Sequence, residues 1–383
     1  MGNLKNLFYS SLFGGVASGV LSVVLPVYLN ESFSTSLTSI GFIFSAYALL
    51  FALLQIPFSF LGDRMDKRKL LLFSAVLEGV CNLVYGLASS VSHFILGKGV
   101  EGTAAAVSRS PSSALLIELS ERHRFSESFG NLIGFFSIGY VLGFLISGPM
   151  VESFGFRNTL FALFFFNLIA LGFLLLIKHN RQAESIKFNL AKFFQKPHRH
   201  LKLFAVTGFL ITFVERMDYT VSIIFMKEVY DASITQIGIA MALGWLSFGA
   251  IQIYSGRHSD KFGRRKSYLV GGVLAGLCAF LLPNMPSMGA MALLFMLLSA
   301  GHGIAYPALR GMLAESTSEK YRSQDFGFVT AFEEAGPLIG FPVMGWIADN
   351  LGFNAAFYLR GFVILAVSII VCLAVKQKVK PKN

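Results

Sequence analysis

The sequence predicts an all-α integral membrane protein with 12 transmembrane helices in two six-helix bundles. Three observations lead there. The chain has 383 residues, 54% hydrophobic and 14% charged, with a mean hydropathy of +0.64, whereas soluble domains carry about 25% charged residues. Twelve apolar stretches are each long enough to cross about 30 Å of hydrocarbon. The chain also repeats itself at a spacing of 197 residues, the mark of a duplicated architecture.

The stretches run near 6–29, 36–61, 70–89, 93–117, 127–151, 157–177, 203–226, 235–255, 268–286, 288–313, 326–348 and 355–375. The 40 Phe suit lipid-facing positions, and the 37 Gly let helix backbones approach closely. Placing both termini in the cytoplasm gathers Lys5, the Arg64 to Lys69 run, Arg122, Arg124, the 178–202 connection, the Arg257 to Lys266 run, Lys320, Arg322 and the 376–382 tail on one side. That is about 25 of the 32 Lys and Arg, with Arg157 and Lys227 outside, as the positive-inside rule requires. The net charge of +11 therefore reports topology and an anionic inner leaflet of a plasma membrane. It calls for no nucleic acid, which needs a basic face on a soluble fold. The first stretch is too long for a cleavable leader and is read as a retained helix. Cys81, Cys278 and Cys372 fall inside predicted helices, so no disulfide framework, metal site or cofactor is expected. The expected partners are a small-molecule substrate, protons and the lipid bilayer, with the chain acting as a monomer.

In the 197-residue register Thr38-Ser39-Ile40-Gly41 falls on Thr235-Gln236-Ile237-Gly238, Cys81 on Cys278 and Glu118 on Glu315. Gly139, Gly143, Gly148, Gly155 and Phe156 fall on Gly336, Gly340, Gly345, Gly352 and Phe353. Six spans per half, both halves starting on the same side, make a parallel repeat about an axis along the membrane normal, the build of a rocking transporter. The domains are read as 1–178, a cytoplasmic linker 179–202 with an amphipathic patch near Phe188 to Phe194, and 203–383.

Two charged turns follow the second and eighth spans. The second, Gly256-x3-Asp260-Lys261-x-Gly263-Arg264-Arg265-Lys266, resembles the cytoplasmic signature of the major facilitator superfamily in full; the first, Ser59-x3-Asp63-Arg64-x-Asp66-Lys67-Arg68-Lys69, keeps its charges but has Ser59 and Asp66 in place of Gly. The resemblance implies the major facilitator fold, and a gate in which Asp63, Arg64, Arg68, Asp260, Lys261 and Arg264 latch the cytoplasmic side. Glu118 and Glu315, which close their helices near Arg122 and Arg322, are candidate partners in that latch. At position 66 the freedom of Gly at positive φ is absent. Lys98-x2-Glu101-Gly102 and Gly130-x8-Gly139-x3-Gly143 resemble, imperfectly, two motifs of the drug/proton antiporter branch, with Phe144 where that branch has Pro. The glycine ladder also reads as a device for close helix packing.

An ionisable side chain at the bilayer centre costs about 2.5–3.5 kcal/mol, so one that persists faces a cavity or a partner. The resemblance lines the cavity with spans 1, 4, 7 and 10, flanked by 2, 5, 8 and 11. Span 7 carries Glu215-Arg216-Met217-Asp218, and on a regular helix Glu215 and Asp218 stand about 60° apart, with Arg216 about 160° from Asp218. Two carboxylates close together and poorly solvated compete to shed charge, the condition a proton carrier needs. Lys98 and Glu101 can pair along span 4. Arg109, His302, Arg310 and one of Glu333 and Glu334 complete the candidates for proton coupling or substrate contact; His302 is read as an interior histidine first. Glu78 and Arg360 lie on peripheral spans and are read as structural. Phe8, Tyr28, Tyr140, Phe213, Tyr219, Trp245 and Tyr306 are candidates for an adaptable apolar wall.

No phosphate-cradling glycine loop and no nucleophile with a matching base is present, which disfavours an ATPase and an enzyme. Two transport readings stand. One is proton-coupled efflux of small amphipathic or cationic molecules by alternating access; the other is a proton-coupled symporter or facilitator for a metabolite or organic anion. A non-transporting sensor on the same fold is expected to carry a signalling tail.

Overall fold

The computed structural model describes residues 2–62, 64–120, 125–178, 199–317 and 322–375. Among these the chain is helical: α1 (Gly2–Phe33), α2 (Leu37–Gly62), α3 (Lys67–Gly86), α4 (Val91–Leu119), α5 (Phe125–Leu175), α6 (Arg199–Glu215), α7 (Val221–Tyr230), α8 (Ile234–Phe262), α9 (Arg264–Leu281), α10 (Met288–Ser316), α11 (Arg322–Leu351) and α12 (Phe353–Ala374). The described residues form two compact units, one of residues 2–178 with 231–239 and the other of residues 199–230 with 240–375.

The helices are set by long apolar runs whose backbone polar groups must be satisfied internally once in lipid. Eight helices among the described residues are long and apolar enough to cross a membrane by length and hydropathy alone. One of them, α5, is two spans, because Gly155 adopts φ 74°, ψ 167° and turns the chain between limbs 125–154 and 156–175. Gly352 makes the matching turn at φ 86° before α12, a backbone conformation only Gly adopts without strain. The three remaining spans, α4, α6 with α7, and α11, fall short of that length or hydropathy and each carry charges, as do α3, α10 and α12.

The sequence expects one continuous seventh helix over 203–226. Instead α6 stops at Glu215, a single 3-10 turn covers Arg216–Tyr219, and α7 resumes at Val221. Thr220, at φ −136° and ψ −81°, breaks the helical path. The physical reason lies in the charges at 215 and 218, whose partners stand on α10 and α12 and which a regular helix would hold at fixed angles.

The glycine ladder packs helices. In the first unit Gly139 and Gly143 on α5 lie against the Leu12 and Val16 carbonyls of α1, and in the second Gly336 and Gly340 on α11 lie against the Phe209 and Phe213 carbonyls of α6. These contacts keep the 197-residue register, which carries Leu12 to Phe209 and Val16 to Phe213, so the repeat extends to spans 1 and 7. The turns after α2 and α8 differ. Asp66 sits at φ −60°, ψ 117° and caps α3 by accepting from the Arg68 amide at 2.9 Å, whereas Gly263 reaches φ 98° with no side-chain cap.

Candidate functional site

In the second unit the 3-10 break delivers Asp218 to α12. Arg360 grips it with both guanidinium ends, Nη1 to Oδ1 at 2.5 Å and Nη2 to Oδ2 at 2.7 Å, and the Ser222 hydroxyl donates to the same carboxylate at 3.0 Å. Arg360 is wholly buried and is the largest fully buried side chain described. Its Nε has no partner among the described residues. An isolated buried cation is strongly unfavourable, so the fork with Asp218 is what makes Arg360 tolerable on α12.

One helical step before the break, Glu215 turns to a different partner, the His302 Nδ1 of α10, at 2.8 Å. To donate to a carboxylate, Nδ1 must carry the hydrogen. The other nitrogen, Nε2, is buried without a partner among the described residues. The imidazole thus has one nitrogen fixed by an acid and the other buried as an acceptor without a donor among the described residues. A third pair lies nearby in sequence: Arg310 of α10 meets Glu333 of α11 at 2.8 Å and stacks over the Tyr306 ring at 4.9 Å. The Glu333 carbonyl accepts from Thr212 on α6 at 2.6 Å, joining that pair to the seventh span. Of the two adjacent glutamates, Glu333 therefore holds Arg310; Glu334, half-buried, has a separate interaction. Arg216 is exposed.

The expected 60° juxtaposition of Glu215 and Asp218 needs correction. The helix ends between them, and they serve two separate bases. Arg360, read as structural, has a definite partner: it holds the Asp218 carboxylate. A charge inside the apolar run 355–375 was the available signal; its partner lies 142 residues away, beyond the reach of local spacing.

In the first unit a polar cluster forms around α4. Lys98 and Glu101 pair along α4 at 2.8 Å, Tyr85 of α3 donates to Glu101 at 2.9 Å, and the Lys98 ammonium lies 4.3 Å from the centre of the Phe44 ring. Arg109, exposed on α4, stacks over Phe51 at 5.2 Å.

At the turns after α2 and α8, Glu118 meets Lys67 at 2.8 Å and Glu315 meets Arg264 at 3.0 Å. Arg264 also donates to the Gly311 carbonyl at 2.7 Å. The partners are thus the first residues of α3 and α9, because each of these helices starts beside the last turn of the helix that follows it. The expected neighbours Arg122 and Arg322 bring no side chain into the described residues. Arg68 donates to the Leu175 carbonyl at 2.7 Å, capping α5. Arg64 and Lys261 are exposed, and Gly256 lies inside α8. Asp63 and the Asp260 side chain lie outside the described residues, as does the linker patch near Phe188 to Phe194.

A chain of membrane-spanning helices in duplicate, with acid–base pairs buried at the middle of its spans, belongs by class to the solute transporters. Comparison with known proteins gives the family. The model of the Major Facilitator Superfamily matches residues 7–214 and 204–383, and the chain belongs to that family. It is 22% identical over 388 residues to a class H tetracycline resistance protein of Pasteurella multocida, covering 97% of this chain and 96% of the relative. It is 25% identical over 385 residues to the multidrug resistance protein MdtG of Salmonella typhimurium, covering 95% and 93%. Among solved structures, the nucleoside transporter NupG superposes with a TM-score of 0.80 at 12% identity, covering 98% of this chain and all of the other. A bacterial homologue of the human lysosomal transporter Spinster, in an inward-facing and unoccupied conformation, gives 0.79 at 14%; both show the fold. The protein is a multi-pass membrane transporter of small molecules, and it is not an enzyme.

Proposed function

We propose that this transporter is a proton-coupled exporter of small amphipathic or cationic molecules, working by alternating access in the plasma membrane with both termini cytoplasmic. The carrying observation is the pair of separate acid–base contacts at the broken seventh span, Glu215 with His302 and Asp218 with Arg360. Protonating either carboxylate removes the charge that holds its partner, and an approaching cation competes for that same charge. Proton and cargo thus exclude each other, which is the requirement for exchange. The similarity to tetracycline and multidrug resistance proteins supports the direction of transport. Against organic-anion symport, Lys98, Arg310 and Arg360 are each already held by a carboxylate.

In this reading the turns after α2 and α8 form the cytoplasmic gate, with Asp63 and Asp260 as its latching acids and the Glu118–Lys67 and Glu315–Arg264 pairs holding each turn in place within its own half. Inside-out vesicles with an acidic interior are expected to accumulate a cationic dye. The double variant Glu215→Gln, Asp218→Asn is expected to be made and inserted but to lose gradient-driven accumulation. Accumulation unchanged in that variant would remove both acids from the coupling path; uptake of a labelled organic anion in place of the dye would favour symport.

A further inference from the structure

Glu78 of α3 is a carboxylate that the site above does not use. It stands twelfth of the 20 residues of α3, well inside a membrane span, and is half-buried. Among the described residues no hydrogen bond or ion pair engages it, and the charge that acts on it is the like charge of Glu101. Two helices pack against α3. From α4 the charged groups at this level are Lys98 and Glu101, already bonded to each other, with Tyr85 of α3 itself donating to Glu101. From the 156–175 limb of α5, Arg157 is the one charged residue, and its Nε donates to the Gly86 carbonyl at 2.8 Å. On the same limb Phe164 lies against Gly79, the neighbour of Glu78. One turn further on, Asn167 is 4% exposed with an Oδ1 that lacks a donor among the described residues.

The internal repeat shows that packing does not require an acid here. Cys81 and Cys278, Gly79 and Gly276 correspond, yet Glu78 corresponds to Ala275, which is wholly buried and packs against Gly301 of α10. A carboxylate removed from water and given no counter-charge sheds its own charge by taking a proton. The neutral acid also provides a hydroxyl donor where a carboxylate would offer only acceptors.

We propose that Glu78 is a proton-binding site of the first unit, separate from the acids of the seventh span, and that the transporter therefore carries an exchangeable proton in each half. The proton moves between bulk water and the Glu78 carboxylate, and binding it relieves the repulsion between Glu78 and Glu101. The link to transport rests on the proton-coupled reading above; proton binding at Glu78 does not.

The test is an infrared pH titration of the full-length protein in lipid nanodiscs, reading the carbonyl stretch of protonated carboxyl groups. Wild type is expected to show such a band at neutral pH, and Glu78→Ala, which copies the residue of the second unit, to lose it with unchanged thermal unfolding. Glu78→Gln, of the same shape, is the second variant and is expected to lose the same band. A band that survives in both variants overturns the proposal. Dye-dependent proton release in proteoliposomes then separates the two claims. A wild type that releases no protons defeats the exporter reading and leaves the band assignment standing, whereas equal release by wild type and Glu78→Gln defeats the role of Glu78 in transport.

Discussion

The two halves of this protein were built from one pattern, and they differ most where the charges enter the membrane. The Lys67–Glu118 and Arg264–Glu315 pairs occupy corresponding positions in both. So do the glycine contacts and the turns at Gly155 and Gly352. Asp218 and Arg360, in contrast, correspond to Leu21 and Leu163, both buried. Glu215 and His302 correspond to Ser18 and Ala105, and Lys98 and Glu101 to Phe295 and Leu298. What recurs is what six helices need in order to pack and turn. What appears in one half alone is what packing can do without, and it is there that transport chemistry should be sought.

The sharpest way to break this comparison is to make the second half resemble the first. Arg360→Leu alone leaves the Asp218 carboxylate buried without its fork and is expected to cost about 3–5 kcal/mol, the penalty for an uncompensated buried charge. Asp218→Leu with Arg360→Leu copies Leu21 and Leu163, and is expected to recover most of that stability, because a well-packed apolar pair replaces a buried ion pair at little cost. Thermal unfolding in detergent measures both. Dye accumulation should remain absent in the double variant. A double variant that still transports would return the pair to an architectural role.

The shared features predict symmetric damage. Gly143→Ala places a methyl group on the Val16 carbonyl, and Gly340→Ala places one on the Phe213 carbonyl. Each is expected to cost about 1–3 kcal/mol through backbone displacement, by similar amounts in the two halves. Gly263→Asp falls in the same range, because it forces a side chain onto a backbone at φ 98°. A loss confined to one half would show that the ladder is specialised and not simply packing.

This contrast also marks what could be read without coordinates. The apolar runs, the positive-inside bias and the 197-residue register are local or periodic signals, and they carried the fold, the family and the glycine ladder. Lys98–Glu101, one turn apart, was within reach for the same reason. The partners of Asp218, Glu215 and Glu333 were not, because a charge in a span announces that it needs a partner and does not say on which helix. The 3-10 break after Glu215 was hidden too: Arg216, Met217 and Asp218 contain neither Pro nor Gly, and tertiary pairing overrode helix propensity. Arg360 was read as structural because its span is peripheral in the family plan, and its pairing with Asp218 is the contact that reading could not name.

Smaller effects are expected at the turns after α2 and α8. Glu315→Gln removes a pair that is partly exposed, with Glu315 at 42%, and is expected to cost no more than about 1 kcal/mol; Glu118→Gln removes a more buried pair, with Glu118 at 12%, and is expected to cost somewhat more. If the turns these pairs hold form a gate, their loss changes the rate of dye movement more than the midpoint of unfolding, and both variants shift it in the same direction. A large stability loss at Glu118 alone would mean that the two turns are not equivalent.

The smallest expected effect lies at Asp66, where the two halves solve one problem in different ways. At φ −60° the backbone there does not need Gly, and the carboxylate supplies a helix cap that Gly263 lacks. Asp66→Gly therefore restores the full family pattern and yet is expected to destabilise by a few tenths of a kcal/mol, since Gly is nearly as good a cap as Asp. The measurement is the unfolding midpoint beside that of Gly263→Asp. Near-neutrality at 66 with a clear loss at 263 would show that the turn after α8 demands glycine and the turn after α2 does not, so the departure from the family pattern at Asp66 is an equivalent way to start a helix and not a defect of the gate.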